Sequence, residues 1–308
     1  MGLETVLGTL RLKNPIMPAS GTYDWFGGDP AQVPASMLGA VVTKSVTLEP
    51  QPGNPPIRVA ETPSGMLNAI GIPSVGIEEF LGEVLLHYRG LDTAMIVSVQ
   101  AYSPQECERM VARLSDEPRV DAVELNLSCP NLAHGVITAQ SSELSAEMVA
   151  AARRSTTLPV IAKLSPNVTD IVEIARAVEQ NGADALCLIN TVKGMAVDIE
   201  TRQALLGNRS GGLSGPAIKP IALSMVWECF QEVDIPIIGV GGIATAEDVI
   251  QFLLAGARAV QVGTATFREP RTLARIIADL DEYLAKENLG SASDLVGWCH
   301  KERLTVGA

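Results

Sequence analysis

The 308-residue sequence is poor in aromatic residues (4%), has only three histidines, and carries five cysteines with no C-x-x-C pair among them. Cys107, Cys129, Cys187, Cys229 and Cys299 are odd in number and widely spaced, so neither a disulfide framework nor a zinc or iron-sulfur site is indicated, and most read as buried thiols. His87, His134 and His300 lack metal spacing too; surface roles are expected for them, and no metal is expected in this chain. Positive charge is in the minority. The 23 Lys and Arg stand against 35 Asp and Glu, a formal charge of -12, which argues against a nucleic-acid or anionic-membrane surface. No apolar run approaches the roughly 20 residues of a membrane span. The stretch MGLETVLGTLRLKN carries charges where a secretory signal has its apolar core. A cytoplasmic protein is expected, with no nucleic-acid or membrane partner. Any anionic ligand must then be held locally, by glycine-rich backbone, helix N-termini and one or two buried lysines.

What is present is an apolar fraction of 47% with 19% charged residues, enough to bury a large interior. Short runs rich in Val, Ile and Ala recur at Asn14 to Ser20, Ala40 to Val46, Met95 to Ala101, Ala122 to Ser128, Val160 to Ser165, Ala185 to Asn190, Pro236 to Gly242 and Ala259 to Ala265. Their near-continuous apolar character fits parallel strands buried on both faces. Helical segments lie between them. Ser103-Pro104-Gln105-Glu106 reads as a capping box with Pro at the first helical position, Thr245 to Asp248 as a similar start, and Gly182 and Gly256 as helix ends. The expected fold is α/β, a (β/α)8 TIM barrel forming one domain over residues 1–308. Leu3 to Lys13 alternates like a small hairpin that plugs the barrel bottom, and Thr191 to Gly215 is too long for a plain βα loop and reads as an extended active-site lid. The tail, residues 289–308, reads either as frayed chain or as a contact segment.

A barrel of this kind works at the C-terminal ends of its strands, so the residues found there are the ones to examine. They are Ser20-Gly21, Lys44-Ser45, Ser98-Val99-Gln100, Asn126 and then Cys129, Lys163, Asn190-Thr191, Gly241-Gly242 and Gly263-Thr264. Glycines at the seventh and eighth strands occupy the usual phosphate position of barrels, although tight turns alone would also use them. Lys44 and Lys163 end apolar strands. Each requires an anion nearby, or snorkels to solvent, or, desolvated, serves as a Schiff-base nucleophile. Asn68, Asn126, Asn131 and Asn190 offer uncharged donors and acceptors to a planar ring with amide-like edges, against the alternative of turn formation. Cys129 precedes Pro130 and Asn131 in the barrel mouth, where a thiol of suitable pKa can move a proton, although a lone cysteine is more often a core filler.

Asn126-Leu127-Ser128-Cys129-Pro130-Asn131, together with Ala19-Ser20-Gly21, Thr43-Lys44-Ser45, Leu67-Asn68-Ala69-Ile70-Gly71, Lys163-Leu164-Ser165-Pro166-Asn167, Gly211-Gly212-Leu213-Ser214-Gly215-Pro216 and Gly239-Val240-Gly241-Gly242-Ile243, resembles the class 1 dihydroorotate dehydrogenases, in order, to about residue 285. The resemblance implies an FMN-dependent oxidation of (S)-dihydroorotate to orotate in pyrimidine (UMP) biosynthesis. It implies FMN contacts from Ser20, Lys44, Ser45, Ser98, Asn126, Lys163, Ile189, Gly215, Gly241, Gly242, Gly263 and Thr264. It implies substrate contacts from Lys44, Asn68, Ala69, Ile70, Gly71, Ile72, Asn126, Asn131, Asn190 and Thr191. Cys129 becomes the base that takes the C5 proton while hydride leaves C6 for flavin N5. Asn68 to Gly71 and His134-Gly135 look like subclass 1B, which implies a homodimer or a heterotetramer with a partner subunit carrying FAD and a 2Fe-2S cluster and passing electrons to NAD. Two departures stand out: Pro73-Ser74 where relatives often place an Asn, and Ser98 where an Asn commonly faces the flavin. The competing readings are an FMN-dependent dihydropyrimidine dehydrogenase and, in another class, a Schiff-base lyase or aldolase using Lys163.

Overall fold

The computed structural model describes residues 2–23, 32–128, 130–131 and 136–301. Eight parallel strands form its centre: β1 (Ile16–Pro18), β2 (Ala40–Val42), β3 (Ala94–Val99), β4 (Ala122–Asn126), β5 (Val160–Lys163), β6 (Ala185–Leu188), β7 (Ile237–Val240) and β8 (Ala257–Val262). Hydrogen-bonded neighbours run β1-β8-β7-β6-β5-β4-β3-β2, so each strand lies beside its successor, and Gly39 N–H donates to Ile16 O at 2.9 Å where β1 meets β2. The sheet is thus a nearly closed barrel, and all eight strands coincide with the apolar runs expected to form them.

Helices α1 (Ile77–Gly82), α2 (Pro104–Ser115), α3 (Ser142–Ser155), α4 (Ile171–Gln180), α5 (Lys219–Phe230), α6 (Ala246–Ala255), α7 (Ala265–Arg268) and α8 (Thr272–Lys286) surround it. Between β1 and β2 the described residues hold only a 3₁₀ turn, Ala35–Met37. The Ser103 cap accepts from Glu106 N–H as expected, but the Glu106 carboxylate accepts from Tyr102 N–H instead of closing the box on Ser103. At α6 the reciprocal box between Thr245 and Asp248 is complete. Gly256 ends α6 with φ 121°, a conformation that favours glycine.

Register and alternation divide the inward side chains into layers contributed by alternate strands. The lowest layer is Ala40, Ala122, Ala185 and Ala259, and the next is Met17, Ile96, Ile161 and Ile238. Alanines leave space at the barrel bottom. The hairpin of Thr5–Leu7 and Leu10–Leu12 fills it, with Leu7, Leu10 and Leu12 buried in the same interior cluster, so the expected plug is present. Above the aliphatic layer come Val42, Glu124, Cys187 and Gln261, then Ala19, Ser98, Lys163 and Val240, where polar groups enter the interior.

Thr191 to Gly215 is structured chain. Val192–Gly194 pairs antiparallel with Gly211–Ser214, which pairs with Gly65–Asn68 and through it with Val59–Thr62, making a four-stranded sheet over the barrel mouth. Of the two readings of the tail, contact holds for residues 289–301: Ala292 N–H donates to Gly2 O, Gly297 N–H to Leu253 O, and the His300 ring stacks on Trp227 with centroids 5.1 Å apart. Among the described residues no helix is long and apolar enough to cross a membrane.

Candidate active site at the barrel mouth

The C-terminal strand ends collect the polar residues singled out above. Ser20 follows β1 and its hydroxyl donates to Thr43 O at 2.8 Å, tying the ends of β1 and β2 together. The Lys44 side chain lies against Gly21, whose φ of 77° and missing Cβ allow the approach. Ser45 and Ser98 are both buried and share a hydroxyl–hydroxyl hydrogen bond of 3.0 Å, so Ser98 is engaged within the protein. Gln100 is fully enclosed: its amide donates to Ala101 O at 3.3 Å while its side-chain oxygen has no partner among the described residues.

Asn126 and Asn190 do converge. Asn190 Nδ2 donates to Asn126 Oδ1 at 3.2 Å and to Ser128 Oγ at 2.8 Å, and its own Oδ1 accepts from Thr191 N–H at 2.8 Å. Asn68 reaches the mouth from a different element, the Gly65–Asn68 strand, where its amide donates to Gly212 O at 3.3 Å. Thr191 Oγ1 occupies the space a Cβ at Gly212 would need, which locks that strand to the end of β6. The loop of Ala69, Ile70, Gly71 and Ile72 is pinned by Asn54, whose N–H donates to Ile70 O at 3.0 Å and whose side chain donates to Ala69 O at 3.0 Å. Asn131 belongs to a two-residue strand paired with Val136–Ile137, but its side chain, like Cys129 and His134, lies outside the described residues.

Lys163 is buried, yet it is neither an unpaired ammonium nor a snorkelling one. Its Nζ lies 3.0 Å from Gln261 Oε1 and 3.4 Å from Glu124 Oε1, and Gln261 Nε2 donates to Glu124 Oε2 at 2.5 Å. Burial alone pulls the lysine pKa down, but the adjacent Glu124 carboxylate outweighs it and holds the ammonium above its ordinary value. A Schiff-base nucleophile needs the opposite shift, so the geometry speaks against the lyase reading of Lys163. Cys187 lies beside the same carboxylate, and burial followed by that negative charge pushes its thiol far up. Burial likewise carries Cys107 and Cys229 to about 12, so these three thiols are inert fillers. Glu124, Gln261 and Ser128 were not singled out from sequence. The available signal was a lone Glu in Ala-Val-Glu-Leu-Asn and a lone Gln in Ala-Val-Gln-Val, each at an inward position.

The glycine rim follows β7 and β8. Gly241 and Gly242 have φ of 135° and 73°, and Gly215 has φ 96°, so here the turns themselves require glycine. Gly263 differs: a Cβ there would meet Ala19 Cβ at 3.5 Å, an ordinary contact, so the described protein does not demand glycine at that position. Beside it Thr264 Oγ1 and Ser214 Oγ are 2.7 Å apart. Bare backbone after β7 and β8, a buried ammonium after β5 and amides after β4 and β6 suit a phosphate with a planar, polar-edged ring, and the FMN expected from sequence fits these donors.

Comparison with known proteins agrees with this geometry. The sequence profile of the family described as "Dihydroorotate dehydrogenase" matches residues 2–284. The chain is 46% identical over 296 residues, covering 96% of it and 97% of the relative, to the "Dihydroorotate dehydrogenase B (NAD(+)), catalytic subunit" of Geotalea daltonii. Proteins of the same name from Trichlorobacter lovleyi and Desulforudis audaxviator are 46% and 47% identical, over 96% and 95% of this chain and 97% and 95% of their own lengths. With the motif order, the barrel and the polar mouth in agreement, this chain belongs to the dihydroorotate dehydrogenase family.

Proposed function

We propose that this chain is the catalytic subunit of a class 1B dihydroorotate dehydrogenase, oxidising (S)-dihydroorotate to orotate in pyrimidine biosynthesis. The observation that carries the reading is the meeting of Asn126, Asn190 and Ser128 beside the buried Lys163, at the one barrel end that also bears the glycine rim. Bound FMN supplies the acceptor for the hydride that leaves C6 of the substrate. The chain's own residues do the rest. Cys129 removes the proton from C5. Asn68, Asn126, Asn131 and Asn190 with Thr191 hold the ring edges, and the Ala69 to Ile72 loop covers the substrate. Lys44 offsets the substrate carboxylate. Lys163 holds positive charge where negative charge develops on the acceptor ring. Ser20, Ser45, Ser98, Ile189, Gly215, Gly241, Gly242, Gly263 and Thr264 complete the cofactor site.

The relatives' names, with their NAD(+) and "catalytic subunit", support an electron path from this chain through a partner subunit to NAD. The resemblance read from the sequence adds FAD and a 2Fe-2S cluster on that partner, with this chain as a homodimer or within a heterotetramer. The test is the visible spectrum of the purified chain before and after anaerobic dihydroorotate. Yellow protein that bleaches is the expected result. Yellow protein that responds only to neutral dihydropyrimidines replaces the substrate, and colourless protein that cannot be reconstituted with FMN overturns the reading.

A further inference from the structure

The lysine at the end of β5 is held from below by a pair of side chains that no substrate or cofactor role accounts for. Glu124 and Gln261 are both at 0% exposure, in the layer beneath Lys163, and come from β4 and β8. Their bonds are directional. Gln261 gives its amide N–H to one carboxylate oxygen of Glu124, and its own oxygen and the other carboxylate oxygen both face Lys163 Nζ. An ammonium has three N–H donors in tetrahedral array. Two engage the layer below, so the third points away from it, toward the barrel mouth, and Lys163 as a whole is 6% exposed.

We infer that Glu124 is the positioning residue of the site: with Gln261 as its strut, it keeps Lys163 charged and aims its remaining N–H at whatever anionic group occupies the mouth. This rests on the FMN reading of that mouth. Apolar residues of similar volume would make a more stable layer, because burying an ion pair costs desolvation that the pair recovers only in part. An ion pair with a neutral amide strut therefore points to a charge being maintained. The ammonium lies 3.4 Å from Glu124 Oε1 and 3.0 Å from Gln261 Oε1, so one of its two partners is a neutral acceptor. Among the described residues the titratable groups around Lys163 are Glu124 from β4 and Cys187 from β6; Gln261 from β8 is neutral. Among the described residues only the thiol then remains without Glu124, and a buried lysine without a counter-ion titrates several units low.

Glu124→Gln separates this account from a purely structural one, because the two predict opposite signs. The midpoint potential of the bound FMN, measured against reference dyes at a series of pH values, is the readout, with FMN affinity by fluorescence titration beside it. If Glu124 keeps Lys163 charged, wild type shows no break assignable to Lys163 over roughly pH 6 to 9, whereas Glu124→Gln shows one there. Above the break the variant potential falls below wild type, toward that of Lys163→Met, and FMN affinity weakens. If the carboxylate merely offsets the ammonium, its removal leaves Lys163 charged and raises the potential at every pH. That result, or an unchanged potential, overturns the inference. Should Glu124→Gln fail to fold, Glu124→Asp, with the charge drawn back by one methylene, is expected to bring a break into that range, where wild type has none, and a variant that also lacks one there overturns it equally. Wild-type chain that binds no FMN removes the cofactor reading and this inference together, whereas yellow wild type with a sign-reversed Glu124→Gln removes this inference alone.

Discussion

The two ends of the barrel are built from the same strands and obey different rules. At the bottom, the inward layers of Ala40, Ala122, Ala185 and Ala259, then Met17, Ile96, Ile161 and Ile238, are wholly apolar and are sealed by the hairpin leucines. Toward the top the same alternation delivers Glu124, Cys187 and Gln261, then Ser98 and Lys163, and finally Lys44 and Asn126. A polar group taken from water returns little net stability even when well paired. The lower half is thus where folding free energy is gained, and the upper half is where it is given up for chemistry. Substitutions that respect this division should change either stability or activity, and those that cross it would show where the division is wrong.

The largest effect is expected at the top. Cys129→Ala should lower turnover of dihydroorotate by about 10²- to 10⁴-fold, the usual worth of a general base, with flavin content and thermal midpoint close to wild type. Cys129→Ser should recover part of the rate as pH rises, since a hydroxyl is the weaker base. Steady-state rates across pH decide it, and an unchanged profile would remove Cys129 from the chemistry. The counterpart at the bottom is Leu7→Ala. Leu7 is 1% exposed in the plug, and its truncation should cost about 2–5 kcal/mol of unfolding free energy with turnover per folded molecule unchanged. Urea unfolding followed by activity reads both. Lost turnover at full stability would mean that the plug couples to the mouth.

The barrel was legible because all eight strands are buried on both faces, which writes continuous apolar runs into the chain. The hairpin was legible from its two-residue alternation, and the inert cysteines from their scatter. Glu124 and Gln261 were not. A single polar residue in an apolar strand reveals its own inward or outward parity only once the register is known, and which two strands share a layer depends on how the barrel closes. The four asparagines illustrate both outcomes. Asn126 and Asn190 meet as expected, Asn68 arrives on an antiparallel strand that pairs with the Gly211–Ser214 segment far along the chain, and the Asn131 side chain lies outside the described residues.

A smaller effect at the top tests whether that network serves the substrate or only itself. Asn190→Ala removes the donor shared by Asn126 Oδ1 and Ser128 Oγ. Asn126 Oδ1 keeps the Ser128 N–H at 3.3 Å, but Ser128 Oγ loses its donor, which costs about 1–3 kcal/mol, and if the amide is also a substrate contact, kcat/KM for dihydroorotate should fall by roughly 10- to 100-fold. FMN affinity should hold. A variant that is less stable but fully active would assign Asn190 to the fold.

The smallest expected effect concerns a part of the top that behaves like the bottom. Immediately past the glycine turn after β7, the Asp248 carboxylate accepts from Ala244 N–H at 2.8 Å and Thr245 N–H at 3.0 Å and meets Lys219 Nζ at 2.5 Å. Burial pushes the Asp248 pKa up, but Lys219 and the two backbone donors outweigh it and hold the carboxyl below its ordinary value. A folded-state pKa below the unfolded one gives stability that is fully present above the unfolded value, near 3.9, and is lost as pH falls through the folded value. Asp248→Asn should therefore lower stability at neutral pH by about 1 kcal/mol, the usual net worth of a hydrogen bond. Its gap from wild type should close on acidification from about pH 4 downward, with turnover untouched throughout. Denaturant midpoints at neutral and acid pH measure this directly. A gap that stays constant across that range would mean that the shape of the side chain, and not its charge, holds the start of α6 against the rim.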